Sequence, residues 1–215
     1  MKDADLYNEA YFSDTKKETL RLEMYRQEYE RISPKQQGKV LDIGCGKGDF
    51  VSMFHGWEKY GIEISDYARK VASDKGIIFN FNTEPDFLDL ILFRGTFQHI
   101  PDVMSYIMNG YVWLKPGGKM IFLATPNTNG IVYKLFNNLP MISPKYNYIL
   151  PSDKMLKQIL ENVGFRNIRF EYPYLGTPYA YPVKNICSFV LCLLHLKKKI
   201  DFPFWGNLME CYAEK

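Results

Sequence analysis

Residues 40–50, VLDIGCGKGDF, run from an apolar stretch through an acid into glycines at three alternate positions, Gly44, Gly46 and Gly48. Glycine tolerates positive φ and admits a ligand close to the backbone, so such a loop after a strand marks where a small molecule lies against main chain. A dinucleotide-binding loop would place its third glycine at position 49. The residue there is Asp49, whose bulk and charge oppose a pyrophosphate. A nucleoside without phosphates suits the spacing better. Glu63 ends the next apolar stretch, nineteen residues after Gly44. A carboxylate there can accept hydrogen bonds from both ribose hydroxyls, or can simply cap the following helix.

A second group with chemical potential lies in RGTFQHIPD, residues 94–102. An imidazole titrates near neutrality, so His99 is a candidate general base; it can equally cap a helix or tie a loop to backbone. Arg94 could pair with a carboxylate or with loop carbonyls. Asn127, in ATPN, could orient an acceptor hydroxyl or close an Asx turn. Four cysteines at positions 45, 187, 192 and 211 form no Cys-x-x-Cys pair and have no His-rich neighbourhood, which predicts free thiols, no disulfide and no metal site.

The elements that must hold these groups follow from periodicity. An amphipathic helix is expected over residues 16–32, with Leu20, Met24, Tyr25 and Tyr29 at helical spacing, ended by Ser33-Pro34. Short strands are expected in KVLDIG, KYGIEIS, GIIFNFN, LDLILF, KMIFLATP, NIRFEYPY and LMECYAEK. Helices are expected to begin in DFVSMFHGW and to occupy DYARKVASDKG, residues 102–114 and DKMLKQILENVGF. Strands alternating with helices predict an α/β fold with a doubly wound, mostly parallel sheet and helices on both faces, binding its ligand at the carboxyl ends of the strands. At 215 residues this is one domain over 1–215, with an N-terminal helical lid over about 1–34. A substrate-region insertion over about 127–151 interrupts the pattern with Asn, Pro and aromatics.

VLDIGCGKGDF, GIEIS with Glu63, LDLILFRGTFQHIPD, LKPGGKMIFLATPN and LENVGF together resemble the class I S-adenosyl-L-methionine-dependent methyltransferases, in particular their bacterial small-molecule and glycan-modifying branch. The resemblance covers roughly Val40 to Phe170. It implies a Rossmann-like seven-stranded sheet with an antiparallel last strand and S-adenosyl-L-methionine as cofactor. By position it places Asp42, Gly44, Cys45, Gly46 and Gly48 at the methionine moiety, Glu63 and Ile64 at the ribose, and Phe81 and Asn82 at adenine. It adds Arg94 at the loop after strand four, Tyr7 and Tyr11 as an aromatic lid, and His99 facing the acceptor; Asn127 and Tyr146 are the candidates for the acceptor region. The chain departs from the family in its short link between Glu63 and Asp89, and in having Asn82-Thr83-Glu84 where an acid often follows strand three.

These features bound the function. A net charge of +3, from 27 basic and 24 acidic residues, argues against a nucleic-acid surface. RGTFQH replaces the Asn/Asp-Pro-Pro-aromatic segment of base-modifying N-methyltransferases and lacks the paired glutamates of protein-arginine enzymes. The readings left are O-methylation of a small hydroxylated acceptor such as a surface-glycan sugar, methylation of a quinone or lipid-like precursor, and a non-catalytic cofactor-binding partner subunit. The N-terminus lacks the apolar core of a secretory signal, which predicts a cytoplasmic protein. The longest apolar run, Ile186 to Leu196, is eleven residues, short of the ~20 of a membrane span. With Lys197, Lys198 and Lys199 it has the composition of a helix lying on an anionic lipid surface, and equally of a cleft cover or a dimer contact.

Overall fold

A computed structural model of the protein describes residues 18–80, 82–143, 145–202 and 206–215. Among these, β1 (Lys39–Ile43), β2 (Glu58–Ile62), β3 (Leu88–Arg94), β4 (Leu114–Pro126), β5 (Arg166–Glu171) and β6 (Leu208–Glu214) form one sheet in the order β2-β1-β3-β4-β6-β5. The first four strands pair in parallel, and β6 runs antiparallel between β4 and β5. The helices are α1 (Glu18–Ile32), α2 (Asp66–Asp74), α3 (Val103–Trp113), α4 (Ile131–Phe136), α5 (Asp153–Val163) and α6 (Pro182–Leu193). Ser65, Asp102 and Ser152 accept the N-capping hydrogen bonds of α2, α3 and α5. This is the Rossmann-like α/β fold, with the antiparallel last strand.

Two elements differ from expectation. Of the strand expected in residues 76–82, the described residues make only a single bridge, Ile78 to Tyr60, so six strands rather than seven are present among them. The reason is local: the Asn82 side chain accepts from Glu84 N at 3.0 Å, an Asx turn that diverts the chain from an edge ladder, and Pro85 follows. The helix expected after the glycine loop is one 3₁₀ turn, Val51–Met53. Phe50, Phe54 and Trp57 stack edge to face across this turn, and Gly56 at φ +77° turns the chain into β2 within a few residues.

Period-two alternation sorts the sheet's side chains to two faces. Leu41, Ile43, Ile91, Phe93 and Phe122 point toward α3 and α5, whose Val103, Ile107, Leu156 and Leu160 complete that layer. Val40, Leu90, Leu92, Leu123 and Tyr212 point the other way, against Phe50, Phe54 and Trp57 and the α1 residues Tyr25 and Tyr29. A third, smaller cluster joins α4 to α6 through Val132, Phe136, Phe189 and Cys192. The excursion over 127–151 is closed at its base, because Thr128 N and Oγ1 both donate to Pro151 O, at 2.8 and 2.9 Å.

Candidate active site at the carboxyl edge of the sheet

The alternation that buries Val40, Leu90, Leu92 and Tyr212 against α1 carries on at the sheet's upper edge with Asp42, Arg94 and Glu210. Three charged side chains are thus delivered to one buried region, and α1 supplies partners for two of them. Arg94 Nε donates to Glu28 Oε2 at 2.7 Å, and its guanidinium lies 4.0 Å over the Tyr25 ring. Arg31 pairs with Glu210, which also accepts from Tyr212 OH at 2.7 Å. Glu28 is 0% exposed, and burial pushes its carboxyl up against the opposing pull of Arg94.

Asp42 has no such partner. It is 2% exposed, and its Oδ1 is buried without a hydrogen bond. Burial, reinforced by Glu63 and Glu28 and opposed by Arg94, raises its pKa to about 7. A buried carboxylate oxygen left unpaired at a ligand edge is a receptor for a cationic group.

Two of the three loop glycines answer to the chain's own packing. Gly44 has φ +78°, and a Cβ there would lie 2.4 Å from Thr96 Cγ2; Thr96 in turn donates to Ile43 O at 2.7 Å. A Cβ at Gly48 would lie 2.0 Å from Ile77 Cδ1. Gly46 is the one whose backbone reaches the second acid: its N–H donates to Glu63 Oε2 at 2.9 Å. Glu63 Oε1 accepts from Ile64 N and Ser65 N, both at 2.8 Å, so this carboxylate staples the glycine loop to the start of α2. Ile64 stands exposed beside it. Cys45 is a buried thiol, pushed up by burial and then by Asp42, and so is no nucleophile.

Across the edge, His99 and Tyr146 meet: the His99 ring bonds through Nδ1 to Tyr146 O at 2.8 Å. Gln98 Nε2 lies 3.0 Å from both Gly95 O and His99 Nε2. An amide nitrogen only donates, so Nε2 of the imidazole carries the lone pair and Nδ1 the proton. Gln98 is buried, and its Oε1 has no partner.

Asn127 and Arg94 each take one of the two roles open to them. Asn127 is buried, closes the Asx turn and clamps the loop. Its Oδ1 accepts from Asn129 N and Asp153 N at 3.0 and 3.2 Å, and its Nδ2 donates to Asp153 Oδ2 at 3.3 Å, since a buried amide must satisfy itself within the chain. The carboxylate that Arg94 meets is that of Glu28. Asn82 is exposed in its Asx turn, while Tyr7, Tyr11 and Phe81 lie outside the described residues.

Sequence reasoning passed over Glu28, Gln98 and Tyr179. Glu28 looks like one more charge on a solvated helix face and carries no local signal. Gln98 adjoins the histidine that drew attention. Tyr179 is half-buried, with its hydroxyl pushed up by burial and pulled down by Arg94 and Arg21, which brings residues from the far end of the chain toward the same edge. Among the described residues no group of three or more His, Cys, Asp or Glu side chains is placed to hold a metal ion.

A parallel sheet edge with a glycine loop, an unpaired buried carboxylate and a second acid ending the neighbouring strand defines an α/β protein that binds a nucleoside with a cationic appendage. Residues 17–169 match the family described as a methyltransferase domain. A ubiquinone biosynthesis O-methyltransferase of Coxiella burnetii is 30% identical over 169 residues, 68% of this chain and 69% of that protein. Phosphoethanolamine N-methyltransferase 1 of Zea mays is 29% identical over 175 residues, 74% of this chain but only 34% of that protein, so the chain spans about a third of that relative's length. A crystal structure of a SAM-dependent methyltransferase from Archaeoglobus fulgidus shares the fold, with a TM-score of 0.64 at 19% identity over 93% of this chain and 97% of that one. The chain belongs to the S-adenosylmethionine-dependent methyltransferase family.

The family's cofactor, S-adenosyl-L-methionine, fits the acceptors present: its ammonium suits the orphaned Asp42 oxygen and its ribose hydroxyls suit Glu63. Glu63→Ala is expected to weaken S-adenosylhomocysteine binding by roughly thirtyfold or more in calorimetry, the scale for losing a charged hydrogen-bond partner. The 2′-deoxyribose analogue separates ribose contact from loop stapling. It should bind the wild type roughly tenfold more weakly than S-adenosylhomocysteine, and the variant no differently. An equal penalty in both proteins would reduce Glu63 to a staple.

Proposed function

We propose that the chain transfers a methyl group from S-adenosyl-L-methionine to a hydroxyl of a small acceptor. The observation that carries this reading is the setting of His99, whose Nδ1 is held by the Tyr146 carbonyl and whose Nε2 faces a single amide at the ligand edge. Bound S-adenosyl-L-methionine supplies an electrophilic methyl on a sulfonium. Asp42 and Glu63 hold the two ends of that ligand, and the Tyr146 carbonyl fixes the imidazole ring. An acceptor hydroxyl that takes the place of the Gln98 amide gives its proton to Nε2, and the Nδ1–H bond to Tyr146 stabilises the imidazolium that forms.

A sugar of a surface glycan suits the aromatic and Asn-rich stretch after Asn127. A lipid-borne acceptor, a quinone precursor or a polyprenyl-linked sugar, has support in the exposed apolar side of α6, and the quinone precursor also in the role named for the Coxiella relative. Radiolabelled methyl transfer to a panel of sugars, phenols and amines tests the reading. His99→Ala should lower kcat by roughly a hundredfold or more while holding S-adenosylhomocysteine affinity within a few-fold. Unchanged transfer would remove His99 as the base, amine-only transfer would redirect the acceptor class, and cofactor binding without turnover on any acceptor would favour the partner-subunit reading.

A further inference from the structure

Helix α6 turns most of its aliphatic side chains outward. Its buried positions are Asn185, Ser188 and Cys192, with Phe189 half-buried against Phe136 and Phe202. Asn185 Nδ2 donates to Tyr174 OH at 2.8 Å, and Ser188 Oγ donates to Asp201 Oδ1 at 3.0 Å while accepting from Lys197 Nζ at 2.7 Å. Val183, Ile186, Val190, Leu191 and Leu194, which share the opposite face at helical spacing, are all exposed, from 42% at Leu191 to 78% at Val183. Leu196 continues the ridge at 73% and Leu175 lies exposed at 71%. A helix in water ordinarily turns its aliphatic side chains inward and its amides outward, so this arrangement needs an apolar environment on its outer side.

Charge identifies that environment. Between Glu171 and Asp201 there is no acidic residue, while Lys184, Lys197, Lys198 and Lys199 flank the two ends of the helix. A cleft of about 270 Å3 at the foot of the ridge is lined by His195, Lys197 and Lys198 together with Phe136, Cys192 and Ile200. Asp201 is engaged by Lys197, at 2.8 and 2.9 Å. In a two-fold contact the same patch meets itself, which would set Lys184, Lys198 and Lys199 against lysines, the segment's one carboxylate, Asp201, being already taken by Lys197. An aliphatic ridge between cationic ends is instead complementary to a bilayer, with acyl chains against the ridge and anionic headgroups against the lysines. Among the described residues no helix is long and apolar enough to cross a membrane, and α6 has twelve residues, so the contact is in the plane of the surface.

We infer that α6 and residues 194–199 seat the protein on an anionic lipid surface. This stands independently of the acceptor assigned above. The full chain is floated with phosphatidylcholine vesicles with and without phosphatidylglycerol. It should bind the anionic vesicles at least tenfold more tightly than the neutral ones and lose most of that difference at high salt. Val190→Glu with Leu191→Glu should reduce binding by roughly a hundredfold, and Lys198→Gln with Lys199→Gln by roughly tenfold or more. Both variants alter exposed side chains, so the melting temperature and S-adenosylhomocysteine affinity should hold. Cys187 is the exposed one of the four free thiols, and a polarity-sensitive fluorophore on it should shift to the blue on vesicle binding. Failure to bind either vesicle, or binding untouched by the Glu variants, would overturn the inference. So would a dimer in sedimentation that the same variants convert to monomer without any vesicle binding, which would assign the ridge to a second copy.

Discussion

Asp42→Asn should make the protein without cofactor more stable near pH 8 and at the same time poorer at binding S-adenosylmethionine. The folded state holds the Asp42 carboxyl at about 7, against an ordinary value of 3.8. A folded-state pKa raised in this way means that the native protein binds a proton the unfolded chain has released. The resulting stability is fully present below about pH 4 and is lost as pH rises through about 7. At about 1.4 kcal/mol per pKa unit the whole span is of order 4 kcal/mol, an upper figure for a site that can admit some water. An amide of the same shape carries no such penalty, although its own buried polar atoms need partners. A gain of about 1–2 kcal/mol near pH 8 is the net expectation, with a melting shift of roughly 2–4 °C per kcal/mol for a chain of this length.

Binding should move in the opposite direction. With a ligand ammonium beside it, Asp42 is held charged, so wild-type affinity rises with pH from about 6 to 7 as the proton is displaced. Asp42→Asn should bind roughly thirtyfold or more weakly near neutrality and show no pH dependence across that interval. Melting curves and calorimetry at several pH values read both halves. A variant that binds normally would show that Asp42 does not face the ligand, and one destabilised at every pH would show that its carboxylate is satisfied in the folded state.

Breaking the Glu28–Arg94 pair should be the most destabilising single change. Removing one partner leaves an uncompensated charge where Glu28 is fully buried and Arg94 is covered by Tyr25, which costs about 3–5 kcal/mol. Glu28→Ala should therefore lose about that much in urea unfolding. Replacing both, Glu28→Leu with Arg94→Met, removes the stranded charge along with its partner and should recover to within about 1 kcal/mol of the wild type. A double variant as unstable as the single changes added together would mean that the two residues act separately. The stable double variant should still bind cofactor poorly near neutrality, because Arg94 lowers the pKa of Asp42 by more than Glu28 raises it, so losing both lifts that pKa further. The pair thus couples the packing of α1 to the charge state of the carboxylate at the glycine loop.

The glycine loop, Glu63 and the alternation of strands with helices were legible in the chain because each depends on residues adjacent in sequence. Gly48 was legible as a glycine and not for its reason, since the Ile77 side chain that excludes a Cβ there lies 29 residues away. The strand expected over residues 76–82 and the helix expected after the glycine loop fall short for a related cause. Apolar composition proposes an element, while Asn82 and Gly56 bend the chain out of it.

Local pattern therefore carried the fold class and the position of the glycine loop, and the resemblance of its motifs carried the cofactor, since periodicity, turn chemistry and motif spacing act over a few residues at a time. The choice between paired alternatives waited for the tertiary structure. It set Arg94 against a helix residue 66 positions earlier, made Asn127 a clamp, left Asp42 without a partner and turned the apolar side of α6 outward. Each of these depends on which distant group fills the space around a side chain, and burial and pairing are properties of that space.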